Sequence, residues 1–310
     1  MNRPRILIAG PTASGKSSLA VALAKELNGE IISADSRQCF RGLDAGTAKP
    51  DAEQLAAVPH HNISCLDITK SDTAQQFYDR ATAKMDDIEA RNKQVIVAGG
   101  STLHLQSLLF PFDDLPESNE ANLAQLRQEH DRDGIDVLYL RLKEVDPEYI
   151  GKMDGKNVQR IYRALDVWMQ TGKPFSSFHQ QEQEPDLRYR VFLLHRPRKK
   201  LHERINLRCD EMLANGLVEE VKELLADGLD PGAQALQSVG YRQVLAHLDG
   251  NLSYEQMVKD MKTATRRYAK RQITWFRKWD FATWLPMHEL DTESCVERIK
   301  QQVAAECEKG

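Results

Sequence analysis

The chain lacks most of the features that would mark it as secreted, membrane-spanning or built around a metal cluster. Its five cysteines, Cys39, Cys65, Cys209, Cys295 and Cys307, show neither C-x-x-C pairs nor Cys/His ligand spacing. That excludes a zinc ribbon and points to reduced thiols in a cytoplasmic protein. Long apolar runs are missing: the one that follows Arg5 is cut by Pro11 and Gly15, too soon for a signal peptide or a membrane span. Excess positive charge is missing as well. A formal net charge of −4 excludes a generally basic coat for nucleic acid, so any such site must be a local concentration of Lys and Arg. Two further absences concern nucleotide chemistry. The apolar run Val95-Ile96-Val97-Ala98 ends in Gly99-Gly100, where a nucleotide hydrolase would place the aspartate that holds Mg2+. The guanine signature N-K-x-D also fails, because Asn92-Lys93-Gln94 is followed by Val95.

What is present starts with Gly10-Pro11-Thr12-Ala13-Ser14-Gly15-Lys16-Ser17, a full match to G-x-x-x-x-G-K-[ST]. Arg5 to Ala9 ahead of it reads as a buried strand, and Ser18 to Leu27 behind it has helical apolar spacing. In a strand, glycine loop, helix arrangement the N–H groups around Ser14 to Ser17 converge on a phosphate. Lys16 adds a point charge and the Ser17 hydroxyl can hold Mg2+. The loop is therefore a polyphosphate site. Without the hydrolase partners it fits a small-molecule kinase or an enzyme that handles diphosphate as a leaving group.

Glu30 to Ala34 is a second strand-like run that ends in Asp35-Ser36-Arg37-Gln38, and strand ends in doubly wound sheets face the ligand crevice. Asp35 should face the phosphate site, where a carboxylate can serve as general base; the alternative is a turn or capping residue. Pro50 to Asp72 reads as loops and turns, and Thr73 to Asn92 as a charged amphipathic helix. This alternation, with the run at Gln94, predicts an α/β fold: a parallel sheet flanked by helices, of the P-loop NTPase type. From Asp114 to Leu187 acidic residues outnumber basic ones and the spacing turns helical, including the ambiguous stretch Asp133 to Leu142. We expect a core of 1–113 and 188–310 interrupted by a helical insertion, 114–187. Tyr189 to Leu194 returns as a strand, Lys200 to Asp227 is helical with a break near Gly216, and Tyr254 to Trp279 is the last long helix.

Within that last helix the run Lys259 to Lys278 carries Lys259, Lys262, Arg266, Arg267, Lys270, Arg271, Arg277 and Lys278 against Asp260, with Tyr268, Trp275, Phe276 and, just beyond, Trp279 interleaved. Arg267, Lys270, Arg271, Thr274 and Lys278 share one side, a stripe able to follow a phosphate backbone; the alternative is a solvated face. His195-Arg196-Pro197-Arg198-Lys199-Lys200 is a second basic knot with the same two readings.

Together with Gly46-Thr47-Ala48-Lys49-Pro50, Pro59-His60-His61, Gly99-Gly100-Ser101, Gln159 to Leu165, Thr171-Gly172-Lys173-Pro174, Val239-Gly240-Tyr241-Arg242 and Lys270 to Arg277, these motifs resemble the tRNA dimethylallyltransferases over nearly the whole chain. The resemblance implies transfer of a five-carbon group from dimethylallyl diphosphate to N6 of the adenosine immediately 3′ of the anticodon. It implies that Gly10, Pro11, Thr12, Ala13, Ser14, Gly15, Lys16, Ser17 and Arg208 bind diphosphate, with Mg2+ on Ser17. Asp35 is then the base, and Thr12, Lys16 and Ser17 share in the catalysis. Contacts to the anticodon stem-loop of tRNA fall on Asp35, Ser36, Arg37, Gln38 and Ser101; on Gln159, Arg160, Ile161, Tyr162 and Arg163; on Gln237, Ser238, Val239, Gly240, Tyr241 and Arg242; and on Lys270, Arg271, Gln272, Ile273, Thr274, Trp275, Phe276 and Arg277. It further implies a cytoplasmic monomer that needs no membrane. The sequence departs from the family pattern at Cys39-Phe40, Thr102, His104 and the turn Met153 to Val158. Beside this reading stand a shikimate-kinase-like enzyme, which would leave the insertion and the basic helix idle, and a non-catalytic RNA-binding protein, which would not need Lys16-Ser17.

Overall fold

The computed structural model describes residues 3–110, 115–178 and 184–307, with side chains described up to 304. The chain divides into two compact units, Met1–Leu109 with Asp186–Gly310, and Phe110–Pro185. The boundary expected at 113–114 lies outside the described residues.

The first unit begins with strand β1 (Arg5–Ala9), helix α1 (Lys16–Leu27), β2 (Gly29–Ala34), α2 (Ala52–Ala57), β3 (His60–His61), α3 (Ala74–Ala90), β4 (Gln94–Gly99) and α4 (Thr102–Leu109). The second unit holds α5 (Glu120–Asp133), α6 (Ile135–Val145), α7 (Pro147–Lys152) and α8 (Val158–Thr171). The chain then returns to the first unit with β5 (Tyr189–His195), α9 (Arg198–Ala214), α10 (Leu217–Ala226), α11 (Tyr241–Leu248), α12 (Tyr254–Phe276), β6 (Thr283–Pro286) and α13 (Thr292–Cys307). All strand pairs are parallel, in the order β3-β2-β4-β1-β5-β6. In β1, Ile6, Leu7, Ile8 and Ala9 are fully buried, as a strand covered on both faces requires. Its neighbours are β4 (Ile8 opposite Ala98) and β5 (Ile8 opposite Phe192), so the chain leaves β1 at the point where strand order diverges in both directions. A ligand crevice opens at such a point.

Two apolar clusters support this end of the sheet. One packs α1 and α13 on Ile6, Ile8, Ile96 and Phe192; the other gathers α9, α10, α11 and α12 around Ile205, Val221, Tyr241 and Met261. Pro50 to Asp72 is not all loop. Asp51 and Gln54 form a capping box that starts α2, and His60 and His61 pair with Ile31 and Ile32 as an edge strand too short to show a period. Asp133 to Leu142 is helix, interrupted only by the positive-φ turn at Gly134.

Within the second unit, Leu126, Leu138, Leu142, Ile161 and Leu165 form the core. Buried Asp166 accepts hydrogen bonds from Asn122, Gln170 and Arg163, which ties α5 to α8.

Candidate active site

The glycine loop joins β1 to α1 with Gly10, Ala13 and Gly15 at positive φ. Gly15 caps α1 without a side-chain acceptor, so the first-turn N–H groups, including those of Lys16 and Ser17, have no partner within the helix. The N–H of Ser14 is not among them: it donates to Pro11 O at 3.2 Å, which corrects its place in the expected cradle. Instead the Ser14 hydroxyl is buried without a partner, as befits a group that waits for a ligand oxygen. The Lys16 ammonium donates to Pro11 O at 2.9 Å. Burial, then the nearby Arg208 guanidinium, pulls the Lys16 pKa down to about 7, with Asp35 acting in the opposite direction.

Beside the loop lies a cavity of about 270 Å³ whose walls include Thr12, Asp35, Arg37, Arg208, Arg242, Tyr268 and Arg271. Asp35 Oδ1 accepts the N–H groups of Arg37 (2.8 Å) and Gln38 (3.3 Å), an Asx turn that fixes the carboxylate. Its other oxygen accepts no hydrogen bond among the described residues. Turn residue and cavity carboxylate are thus one arrangement, not alternatives. Arg37 and Arg208 form no ion pair among the described residues, burial lowers both their pKa values, and the Nε of each is buried without an acceptor. Cations desolvated in this way call for an anionic ligand.

The motif Gly46 to Pro50 builds a wall. Arg208 donates to Thr47 O at 3.4 Å, and a Cβ on Gly46 would stand 2.5 Å from the Tyr241 ring. Tyr241 donates to Glu220 Oε1 at 2.6 Å, and Glu220 Oε2 accepts the N–H groups of Asp44 and Ala45. Tyr241 is fully buried in this lock, which corrects its assignment as an RNA contact. Gln38 is half-buried, its amide held by Ser33 Oγ and by the carbonyls of Thr47 and Ala48.

The basic stripe of α12 divides. Arg271 lines the Asp35 cavity with Tyr268 and Thr265, whereas Arg267, Lys270, Thr274 and Arg277 line a second cavity of about 410 Å³ with Arg196 and Arg266. Lys278 lies beyond the helix, over the Trp275 ring. Gln272 and Phe276 are buried: Gln272 bonds to Thr12 N and Gly100 O, and Phe276 packs edge-on against Trp279. Both leave the set of direct RNA contacts because their side chains cannot reach one. Ile273 and Trp275 are half-buried.

Gln237, Ser238 and Val239 line the Asp35 cavity, with Gly240 buried behind them at the start of α11. Ser36 is a further wall residue, and Ser101 is half-buried after β4 with its N–H held by Ala34 O. In the second unit, Gln159 and Arg160 are exposed on the first turn of α8. Ile161 and Tyr162 are core residues, the Tyr162 hydroxyl meeting His130 Nδ1 at 2.7 Å, and Arg163 binds Pro116 O and Asp166. Burial again corrects the expected contacts at Ile161 and Tyr162.

Among the described residues no group of three or more His, Cys, Asp or Glu could hold a metal ion. Ser17, exposed on the first turn of α1, offers one oxygen. That fits a Mg2+ held mainly by ligand oxygens and water, the usual preference of this ion.

A phosphate loop, a free carboxylate oxygen and unpaired arginines around one cavity narrow the chemistry, and comparison with known proteins decides it. The sequence model of the IPP transferase family matches residues 38–279. A tRNA dimethylallyltransferase from Citrifermentans bemidjiense is 44% identical over 282 residues, 90% of this chain and 91% of that protein. The chain belongs to the tRNA dimethylallyltransferase family. A crystal structure of the tRNA isopentenylpyrophosphate transferase from Bacillus halodurans is similar at a TM-score of 0.73 and 34% identity, covering 99% of this chain and 97% of that one. A eukaryotic dimethylallyltransferase, described in crystallographic snapshots as acting on tRNA, matches at a TM-score of 0.76 and 29% identity over 88% of this chain and 70% of that one. As in those relatives the sheet is of the P-loop NTPase type. Sequence reasoning missed Thr47, Met212, Met261 and Thr265 as cavity walls and placed Tyr268 only among the aromatics interleaved in the basic helix. The i, i+4, i+7, i+10 spacing of Met261, Thr265, Tyr268 and Arg271 was the available signal.

Proposed function

We propose that this transferase moves the dimethylallyl group of dimethylallyl diphosphate to N6 of the adenosine immediately 3′ of the anticodon of tRNA, releasing diphosphate. The allylic C–O bond breaks, the N6–C bond forms, and the N6 proton goes to Asp35. N6 is a weak nucleophile because its lone pair is delocalised into the ring, so the oxygen of Asp35 that faces no other donor acts where help is needed. The leaving diphosphate gathers charge next to Lys16, Arg208 and the uncapped first turn of α1, which stabilises it as it develops. Ser17 would hold a Mg2+ there, and that ion would supply further charge neutralisation. Thr12 places a hydroxyl on the same cavity wall.

The observation that carries this reading is the cavity that brings Asp35 together with Thr12, Arg37, Arg208 and Arg271 beside the phosphate loop. The exposed cations Arg267, Lys270, Thr274's neighbour Arg277 and, in the second unit, Arg160 suit an RNA backbone. No helix among the described residues is long and apolar enough to cross a membrane. A cytoplasmic monomer is the simplest form for such an enzyme. Incubation with tRNA and dimethylallyl diphosphate, followed by mass spectrometry of the nucleosides, should yield N6-isopentenyladenosine from the anticodon loop. Unmodified nucleosides, or transfer of the γ-phosphate of ATP to a small hydroxylated acid instead, would overturn the proposal.

A further inference from the structure

Gln272 lies near the C-terminal end of α12 with 2% of its surface exposed, while Lys270, Arg271 and Thr274 around it face outward. Its amide spans two loops that are far apart in sequence. Oε1 accepts the Thr12 N–H at 2.9 Å, and Nε2 donates to Gly100 O at 2.7 Å. Gly100 is what admits it, since a Cβ there would stand 2.6 Å from Nε2 and 3.6 Å from the Lys16 ammonium. Thr12 is a wall residue of the Asp35 cavity, and the Gly100 loop backs Lys16. One amide therefore sets the peptide that presents Thr12 and the backing of the loop lysine. Two arginines hold the carbonyls that follow, Arg204 on Ala13 O and Arg196 on Ser14 O, both at 2.8 Å. Of the three, Gln272 alone is buried, where a hydrogen bond faces no competition from water.

We infer that Gln272 is a positioning residue for the diphosphate loop and not an RNA contact: through its paired bonds to Thr12 and Gly100 it ties the basic helix α12 to the loop that binds the prenyl donor. The inference rests on the reading of that loop as a diphosphate site. It gives the helix a second task, since the segment with the exposed cations also carries the strut of the loop.

Binding of inorganic diphosphate with Mg2+ is measured by calorimetry without RNA, and binding of an anticodon stem-loop RNA is measured separately, for wild type, Gln272→Leu and Gln272→Glu. Gln272→Leu strands the Thr12 N–H and Gly100 O, so diphosphate affinity should fall by roughly tenfold, the effect of one or two unmet buried groups, with RNA affinity within about twofold of wild type. Gln272→Glu keeps the shape and the acceptor for Thr12 but loses the donor to Gly100 at neutral pH. On acidification its carboxyl gains an O–H that can donate again, so its affinity relative to wild type at the same pH should recover, which a merely structural role would not produce. This arm stands even if the leucine variant fails to fold. Loss of RNA affinity with intact diphosphate affinity would overturn the inference, as would a ratio for Gln272→Glu that ignores pH. A wild-type protein that binds no diphosphate would instead overturn the reading of the loop.

Discussion

The titration of Lys16 makes the pH dependence of donor binding a sharp test of the site. Burial and Arg208 bring this lysine to about 7 in the ligand-free protein, so it is half charged at pH 7 and almost wholly neutral at pH 9. A bound diphosphate supplies the missing negative charge and returns the ammonium toward its ordinary value of 10.5. Binding then takes up about half a proton at pH 7 and nearly a whole one at pH 9, and affinity falls by roughly 50-fold over that interval, about 2.3 kcal/mol. Below pH 6 the lysine is already protonated and its contribution levels off. Dimethylallyl diphosphate is titrated into wild type and Lys16→Ala by calorimetry in buffers of different ionisation enthalpy. Titration of the ligand itself is common to both proteins, so the difference between them isolates Lys16. An affinity ratio that stays constant from pH 6 to 9, or no proton uptake at pH 9, would refute the reasoning.

Asp35→Asn should slow single-turnover transfer by roughly 10²- to 10⁴-fold while tRNA affinity stays near wild type; transfer at the wild-type rate would remove Asp35 from the role of base. Replacing Lys270 and Arg271 together by Ala should flatten the slope of log affinity for tRNA against log salt by roughly one to two units, and an unchanged slope would return α12 to a solvated face. Glu30 is buried, and its hydrogen bonds from Arg91, with His61 and Lys93, outweigh burial and hold its carboxylate well below the ordinary 4.5. The stability it contributes is therefore full above that value and lost as pH falls below it. Glu30→Gln should lower stability at pH 7 by roughly 1–3 kcal/mol in denaturant titrations, the range for a disrupted buried hydrogen bond to a charge, and show a shallower acid limb.

The parallel sheet was legible because β1, β4 and β5 are short apolar runs without alternation, the mark of strands covered on both faces. The edge strand β3 was not, since two histidines carry no period. At the site, the loop and Asp35 could be read because their chemistry is local: a strand end, a turn and a helix start. The RNA face was read less well for a physical reason. Tyr241, Gln272, Phe276, Ile161 and Tyr162 sit inside motifs that also hold exposed residues such as Arg242, Arg271, Arg277 and Arg160, and a motif written in sequence does not separate the residues that touch a ligand from those that hold its frame. Helical geometry makes the separation: around α12, Arg271 points to one cavity, Lys270 to another, and Gln272 inward.

Charge is distributed with the same division of labour. Glu30, Asp72 and Asp166 are buried and satisfied by arginines of the scaffold, at Arg91, Arg80 and Arg163. Arg37, Arg208 and Lys16 are desolvated around the cavity without such partners, and the charge of Arg208 lowers the affinity of Lys16 for its proton. The ligand-free protein therefore carries a repulsion that neutralising these groups relieves, and the ligand supplies from outside the anion that the fold withholds. Diphosphate should accordingly raise the melting temperature, by about 2.7 kcal/mol of stabilisation at a free concentration 100 times its dissociation constant. Arg208→Met, which removes a repelling charge as well as a ligand contact, should melt higher than wild type without diphosphate and gain less when diphosphate is added. Should that variant melt lower than wild type in the absence of ligand, Arg208 would be a packing element of the wall at Thr47 and the stored repulsion would not exist.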